Sequence, residues 1–273
     1  MSHISNPLDL YTWLEKSNCG RCLLPTCMAF AVAVLQGRKK LEHCPQLDQE
    51  TRSNLADRLR RPKNLADDQA AAIASLQKEV SCLHFEETAA RTQATLKDGM
   101  LAVNCLGKDF LIDGSGALRS DCHVNNWVHF PLLHYLLFCK GYPLGNDWQR
   151  FGDLQGAAQW SAYFSHRCET ALQQLVDAHY PLMLEIFAVF GTPYEAAAGS
   201  PDSSFQLPLL PTVPLLINYW QEEDGFESQL NILFDCSAEH NMTAHGLTVM
   251  TRGVIEMFRQ FIIRHSCDGR LFG

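Results

Sequence analysis

Three cysteines stand within nine positions in KSNCGRCLLPTCMAF, residues 16–30, and an apolar run follows them at once. A fourth, Cys44, completes the pattern Cys19-x2-Cys22-x4-Cys27-x16-Cys44, with Pro45 directly behind it. The chain has 11 cysteines in all. Its first residues, MSHISNPLDLYTW, lack the basic start and apolar stretch of a secretory signal. The greasiest segment, residues 205–220, contains Pro208, Pro211 and Pro214 and is too broken to span a bilayer as a helix. The expectation is a cytoplasmic protein in a reducing compartment, whose thiols serve as ligands or core residues and not as disulfides.

Three uses of the four thiols compete. Four thiolates satisfy the four irons of a cubane, and three close ligands with a distant one before proline is a common iron–sulfur layout. Structural zinc prefers two paired CxxC knuckles, and the second pair is missing. A redox CxxC leaves Cys27 and Cys44 unexplained, and buried free cysteine is the bland alternative. The cubane reading also organises the residues around it. A helix over CMAFAVAVLQ, capped by Thr26 and ended by Gly37, points its free N–H groups and positive dipole end at an anionic cluster. Leu23, Leu24, Met28 and Phe30 are placed to exclude water.

The segment NCGRCLLPTCMAFAVAVLQGRKKLEHCPQL, residues 18–47, resembles the small [4Fe-4S] domain of the corrinoid iron–sulfur protein large subunit. It is also similar to the cluster domain of the B subunit of Rnf-type electron-transport complexes. Asn18-Cys19-Gly20, Cys22, Pro25-Thr26-Cys27, Phe30-Ala31, Gly37 and Cys44-Pro45 carry the likeness. The resemblance implies a [4Fe-4S] cluster on Cys19, Cys22, Cys27 and Cys44. It further implies one-electron transfer in anaerobic metabolism and a redox partner protein, among which a corrinoid protein or enzyme is one option. That family carries glycine after the second cysteine, where this chain has Leu23, which the loop accommodates if its φ is negative. No corrinoid-binding barrel has a counterpart here. Residues 75–265 resemble a domain family of unknown function found fused to this cluster domain in anaerobes. PLLHYLLFCKGYPLGNDWQRFGDL and LPTVPLLINYWQEEDGFESQLNILFDCSAEH carry that resemblance.

A hydrophobic content of 47% in 273 residues allows a sizeable core. The net charge of −8 repels phosphate backbones and anionic lipids, and only GRKK (37–40) and RLRRPK (58–63) run against it. Neither nucleic acid nor membrane is expected as a partner. The pattern divides into a cluster domain (1–48), a polar linker with some helix (49–68) and a larger domain (69–273). In the last, a long helix is expected over 67–92 and a hairpin over 100–118, turning at Gly107-Lys108. Helices follow over 130–141, over 156–190 with a break at Pro181, and over 243–265. Two strands over 212–237 turn at Asp224-Gly225. Helices and hairpins without a βαβ rhythm predict an α+β fold.

The larger domain offers candidates for a second site. His134 shares a helical stripe with Phe138, and Cys122, His123, His129 and Cys139 lie in the same stretch. On the later strand Asn231, Leu233 and Asp235 point to one face, with His240 nearby. His134, Asn231 and Asp235 are therefore candidate contacts for an unknown second cofactor, a tetrapyrrole, flavin or metal. The alternatives to an electron carrier are a redox enzyme built on that cofactor, and a binding module in which the cluster is purely structural.

Overall fold

The computed structural model describes residues 4, 6–59, 65–121, 126–195, 201–223 and 225–268. The chain divides into two compact units, Met1–Ala71 and Ala72–Gly273.

In the first unit, α1 (Pro7–Tyr11) starts at Asn6, whose side chain accepts from Leu8 N. Helix α2 (Cys27–Leu35) starts as expected at Thr26, whose Oγ1 accepts from Ala29 N at 3.0 Å. A 3-10 turn, Leu41–His43, leads into Cys44. Next comes α3 (Gln49–Arg58), N-capped by Asp48. These elements close on Leu10, Leu14, Phe30, Ala31, Leu41, Leu47 and Leu55. The span expected as a linker thus begins with a helix whose Leu55 is fully buried in this core. Its apolar content is too sparse for periodicity to reveal, so the composition alone reads as solvated.

The second unit begins within α4 (Leu65–Val80), and α5 (Phe85–Thr92) follows a turn. The long helix expected over 67–92 is therefore two helices. Strands β1 (Thr95–Lys97), β2 (Met100–Cys105), β3 (Lys108–Ile112) and β4 (Leu118–Arg119) form an antiparallel sheet in that order. The β2–β3 turn is Leu106-Gly107, one residue earlier than expected, and both take positive φ. Helix α6 (Asn126–Phe138) buries Leu132, Leu133, Tyr135 and Leu136. Strand β5 (Trp148–Arg150) precedes α7 (Ser161–Phe164), a π-helical segment at Ser165–Glu169, and α8 (Thr170–Phe190). Helix α8 kinks at His179, two residues before Pro181, where the ring cannot continue the ladder. Strands β6 (Thr192–Pro193), β7 (Ser203–Leu210), β8 (Val213–Trp220) and β9 (Gln229–Asp235) complete a second antiparallel sheet, ordered β5-β9-β8-β7-β6. Helices α9 (Ala238–Asn241) and α10 (Ala244–Asp268) end the chain.

The fold is α+β, built on two sheets where two hairpins were expected. The prolines of 205–220 do not prevent β structure, because each falls where a ladder bond is dispensable. Pro208 sits in the register shift between Leu207 and Leu210, Pro211 in the turn, and Pro214 ahead of the first β8–β9 pair, Leu215↔Phe234. Helices α6 and α10 pack closely through two glycines. A Cβ on Gly253 would run into the Trp127 ring, and one on Gly246 would come within 3.2 Å of His134 Nδ1. Among the described residues no helix is long and apolar enough to cross a membrane.

Candidate metal centre

The loop ahead of α2 winds through four left-handed residues: Lys16 (φ 58°), Asn18 (48°), Gly20 (68°) and Leu23 (64°). Leu23 N donates to Gly20 O at 2.8 Å, closing the turn between Cys19 and Cys22. Asn18 Oδ1 accepts from Cys27 N at 2.8 Å, tying the start of the loop to the first residue of α2. Cys44 comes in from the other side, its N–H donating to Leu41 O and its carbonyl accepting from Leu47 N. Arg52 Nη2 of α3 donates to the same carbonyl at 3.0 Å.

This geometry puts all four cysteines around one cavity, with Leu24 and Phe30 among its apolar walls. Cys19 is exposed, Cys22 and Cys27 are partly covered, Cys44 is buried, and all four thiols are free. The Arg21 N–H and then the Ser17 hydroxyl hold the Cys19 thiol below its ordinary pKa, favouring the thiolate that metal binding needs. Among the described residues no three His, Cys, Asp or Glu side chains gather closely enough to hold one metal ion. Four cysteines lining one partly apolar cavity are the donor set that an iron–sulfur group uses. The donor set and the cavity therefore fit an iron–sulfur group.

Leu23 departs from expectation. Its φ is positive, and its side chain is 85% exposed, outside the apolar wall that Leu24 and Phe30 supply. A left-handed conformation costs a non-glycine residue roughly 1–2 kcal/mol. Leu23→Gly is expected to retain iron and to stabilise the first unit by about 1 kcal/mol, measured by anaerobic denaturant unfolding. A loss of stability would mean that the exposed side chain has an unseen packing role.

The second-unit candidates lie in separate settings. His134 is 8% exposed, stacked on Phe138 at 4.2 Å and on Phe130 at 5.6 Å. Its Nε2 is 3.5 Å from Thr243 Oγ1, and its buried Nδ1 has no hydrogen-bond partner. Asn231 is half-buried and pairs in register with Asn218. Asp235 is 1% exposed, and its carboxylate accepts from the N–H groups of Gly145 (3.0 Å), Asn146 (2.7 Å) and Ser237 (2.9 Å). His240 packs against Tyr142, the rings tilted at 36° with centroids 4.2 Å apart. Cys139 packs into a buried network with Arg91 O, Thr212 Oγ1 and Asn241 Oδ1. Cys122 and His123 lie outside the described residues.

Burial, and next the charge of nearby His245, lower the His134 pKa to about 4. Between pH 6.5 and 4 the unfolded chain then binds a proton that the native state refuses, so stability falls as pH drops through that window. The expected loss between pH 7 and pH 5 is about 2 kcal/mol, from 1.36 kcal/mol per pKa unit. His134→Phe, which suits the aromatic stack, should flatten much of that dependence in urea titrations. His245, whose burial shifts it the same way, adds to the dependence.

A family model described as a domain of unknown function (DUF3786) matches residues 84–257, more than half of the chain. The chain belongs to the DUF3786 family. A separate Fe-S cluster family model matches residues 14–46, the segment that forms the cysteine-lined cavity. The acetyl-CoA decarbonylase/synthase complex subunit gamma of Methanopyrus kandleri is 42% identical over 55 residues, 20% of this chain and 12% of its own length. The corrinoid/iron-sulfur protein large subunit of Moorella thermoacetica is 42% identical over 48 residues, 18% of this chain and 11% of its own. A subunit gamma 2 of Methanosarcina mazei is 45% identical over 47 residues, 17% of this chain and 10% of its own. The chain spans about a tenth of the length of the curated relatives it matches. No solved structure matches it.

In this DUF3786 member the sequence placed Asn18 in the motif but not its bond to Cys27 N, and Arg52 was missed altogether. Asn18 had a local signal, since asparagine favours both left-handed backbone and helix capping. Arg52 had none, because only the packing of α3 brings it to Cys44.

Proposed function

We propose that Cys19, Cys22, Cys27 and Cys44 hold a [4Fe-4S] cluster and that the chain is a one-electron carrier serving a partner protein in anaerobic metabolism. The observation that carries this reading is the single cavity lined by all four thiols, graded from buried Cys44 to exposed Cys19. Such a cluster would supply a one-electron couple near the protein surface. The residues do the rest. The four thiolates bind; Asn18 and Thr26 set the N-terminal end of α2, whose dipole favours negative charge by about 0.3–1 kcal/mol. Leu24 and Phe30 exclude water from one side, and the exposed Cys19 edge leaves an approach for a partner.

The family-model segment and the relatives' names support an iron–sulfur protein working beside other subunits. A corrinoid protein or enzyme is the partner class those names suggest, and the cytoplasm is the location we assign. The larger unit would then supply partner recognition. Anaerobic purification tests the reading. It requires about four irons and four sulfides per chain and a reversible EPR signal on reduction by a low-potential donor. One zinc without labile sulfide would overturn the cofactor assignment. A cluster that no low-potential reductant reduces would leave it structural. An additional chromophore in the optical spectrum would instead favour an enzyme with a second cofactor.

A further inference from the structure

The ligand segment has a cationic neighbour with no ion pair among the described residues. Arg52 stands near the start of α3, held there by the burial of Leu55 in the core that also contains Leu47 and Cys44. Its Nη2 reaches the Cys44 carbonyl in a partly buried bond, while its Nε is buried and makes no hydrogen bond. Among the described residues no carboxylate pairs with the guanidinium. Asp48, the acid just before α3, is engaged by Thr51, through its N–H at 2.7 Å and its hydroxyl at 2.8 Å. Arg52 is half-buried, so the cost falls on its sealed Nε, a donor left without an acceptor. A neutral donor would bridge to the Cys44 carbonyl without that cost, so the bond alone does not explain an arginine here.

We propose that Arg52 is the counter-charge of the thiolate-held cluster, and that it raises the cluster's reduction potential while fixing Cys44 in its ligand position. The proposal rests on the cluster assignment above. Four thiolates around an iron–sulfur core carry net negative charge, and reduction adds one more electron. A fixed cation beside Cys44 stabilises the reduced state more than the oxidised one, and net local charge is one of the levers on such potentials. Guanidinium suits this role because it stays protonated throughout the working pH range and its planar fork can hold a carbonyl while keeping its charge in place. Arg52 is in this sense a positioning residue.

The test uses the full chain, purified anaerobically, as wild type, Arg52→Lys and Arg52→Gln. Iron, sulfide and the midpoint potential by EPR-monitored titration are measured for each. Arg52→Lys should load and stay near the wild-type potential. Arg52→Gln, which keeps a donor and loses the charge, should load with a potential lowered by about 59 mV or more, a tenfold fall in the reduced-to-oxidised ratio at fixed ambient potential. Iron loss in Arg52→Gln with retention in Arg52→Lys would equally support a charge requirement. A fully loaded Arg52→Gln at the wild-type potential would overturn the proposal, as would equal iron loss in both variants. Wild-type protein without iron and sulfide would instead remove the cluster assignment itself, before any variant is compared.

Discussion

Under the proposed [4Fe-4S] assignment, single replacement of Cys19, Cys22, Cys27 or Cys44 by alanine is expected to cut bound iron from about four per chain to a small remainder or a degraded form. The same change at Cys82 should leave iron unaltered. The contrast follows from geometry. The four line one cavity, whereas Cys82 is an exposed thiol whose Sγ donates weakly to the Lys78 carbonyl after α4. Cys44→Ala should be the most damaging of the four. Its thiol is the buried one, its N–H and carbonyl anchor the turn into α3, and its neighbours Phe30 and Leu47 belong to the core of the first unit. Cys19→Ala should be the mildest, because an exposed position lets water or an added thiol take the vacant coordination site. Iron and sulfide analysis with an optical spectrum reads all five variants. Equal retention of iron in Cys44→Ala and Cys82→Ala would remove the cysteine assignment.

Asp235→Ala is expected to destabilise the second unit by roughly 3–5 kcal/mol, a large share of a typical domain's stability. The carboxylate is buried at the end of β9 and accepts three backbone N–H groups, two from the 145–146 loop and one from Ser237. Alanine leaves all three donors unmet. Asparagine keeps one acceptor oxygen and should lose less, which separates a hydrogen-bonding role from simple packing. The Asp235 pKa reflects the same arrangement. Burial pushes it up, and the bonds from Ser237, Gly145 and Asn146 outweigh that, so the net shift is downward. A depressed native pKa stabilises the fold above the ordinary carboxylate range near 3.8, and that contribution disappears as pH falls through the native pKa. Denaturant unfolding at pH 7 measures the main effect. A change below about 0.5 kcal/mol in Asp235→Ala, the scale of an ordinary surface substitution, would contradict the clamp role.

These residues also show why the two candidate sites differed in legibility. The cysteine constellation is local: three ligands, the Asn18 and Thr26 caps and the start of α2 span a dozen positions, and their chemistry depends on residue type and spacing. Cys44 needed only the pattern with Pro45. Strand β9 was legible by alternation, since Leu230 and Ile232 are buried between more exposed neighbours and Phe234 continues the buried face, although Asp235 beyond it is buried too. Alternation reports which face a side chain takes and nothing about what meets it there. Asp235 therefore read as a pocket residue, while the loop carrying Gly145 and Asn146, 90 positions away from it in the case of Gly145, folds back to use it as an acceptor.

Residue type, spacing and period by themselves determined the cluster segment, the α+β character and the helices α2, α6 and α10, because capping, thiol spacing and apolar periodicity act over one or two turns of chain. Tertiary structure alone decided the rest. It drew α3 into the first core through Leu55, set Arg52 on the Cys44 carbonyl, let Trp127 and His134 approach α10 at Gly253 and Gly246, and made Asp235 a clamp. Each of those depends on a close approach between residues far apart in sequence. Such contacts are selected by the packing of whole elements, and no local propensity encodes them.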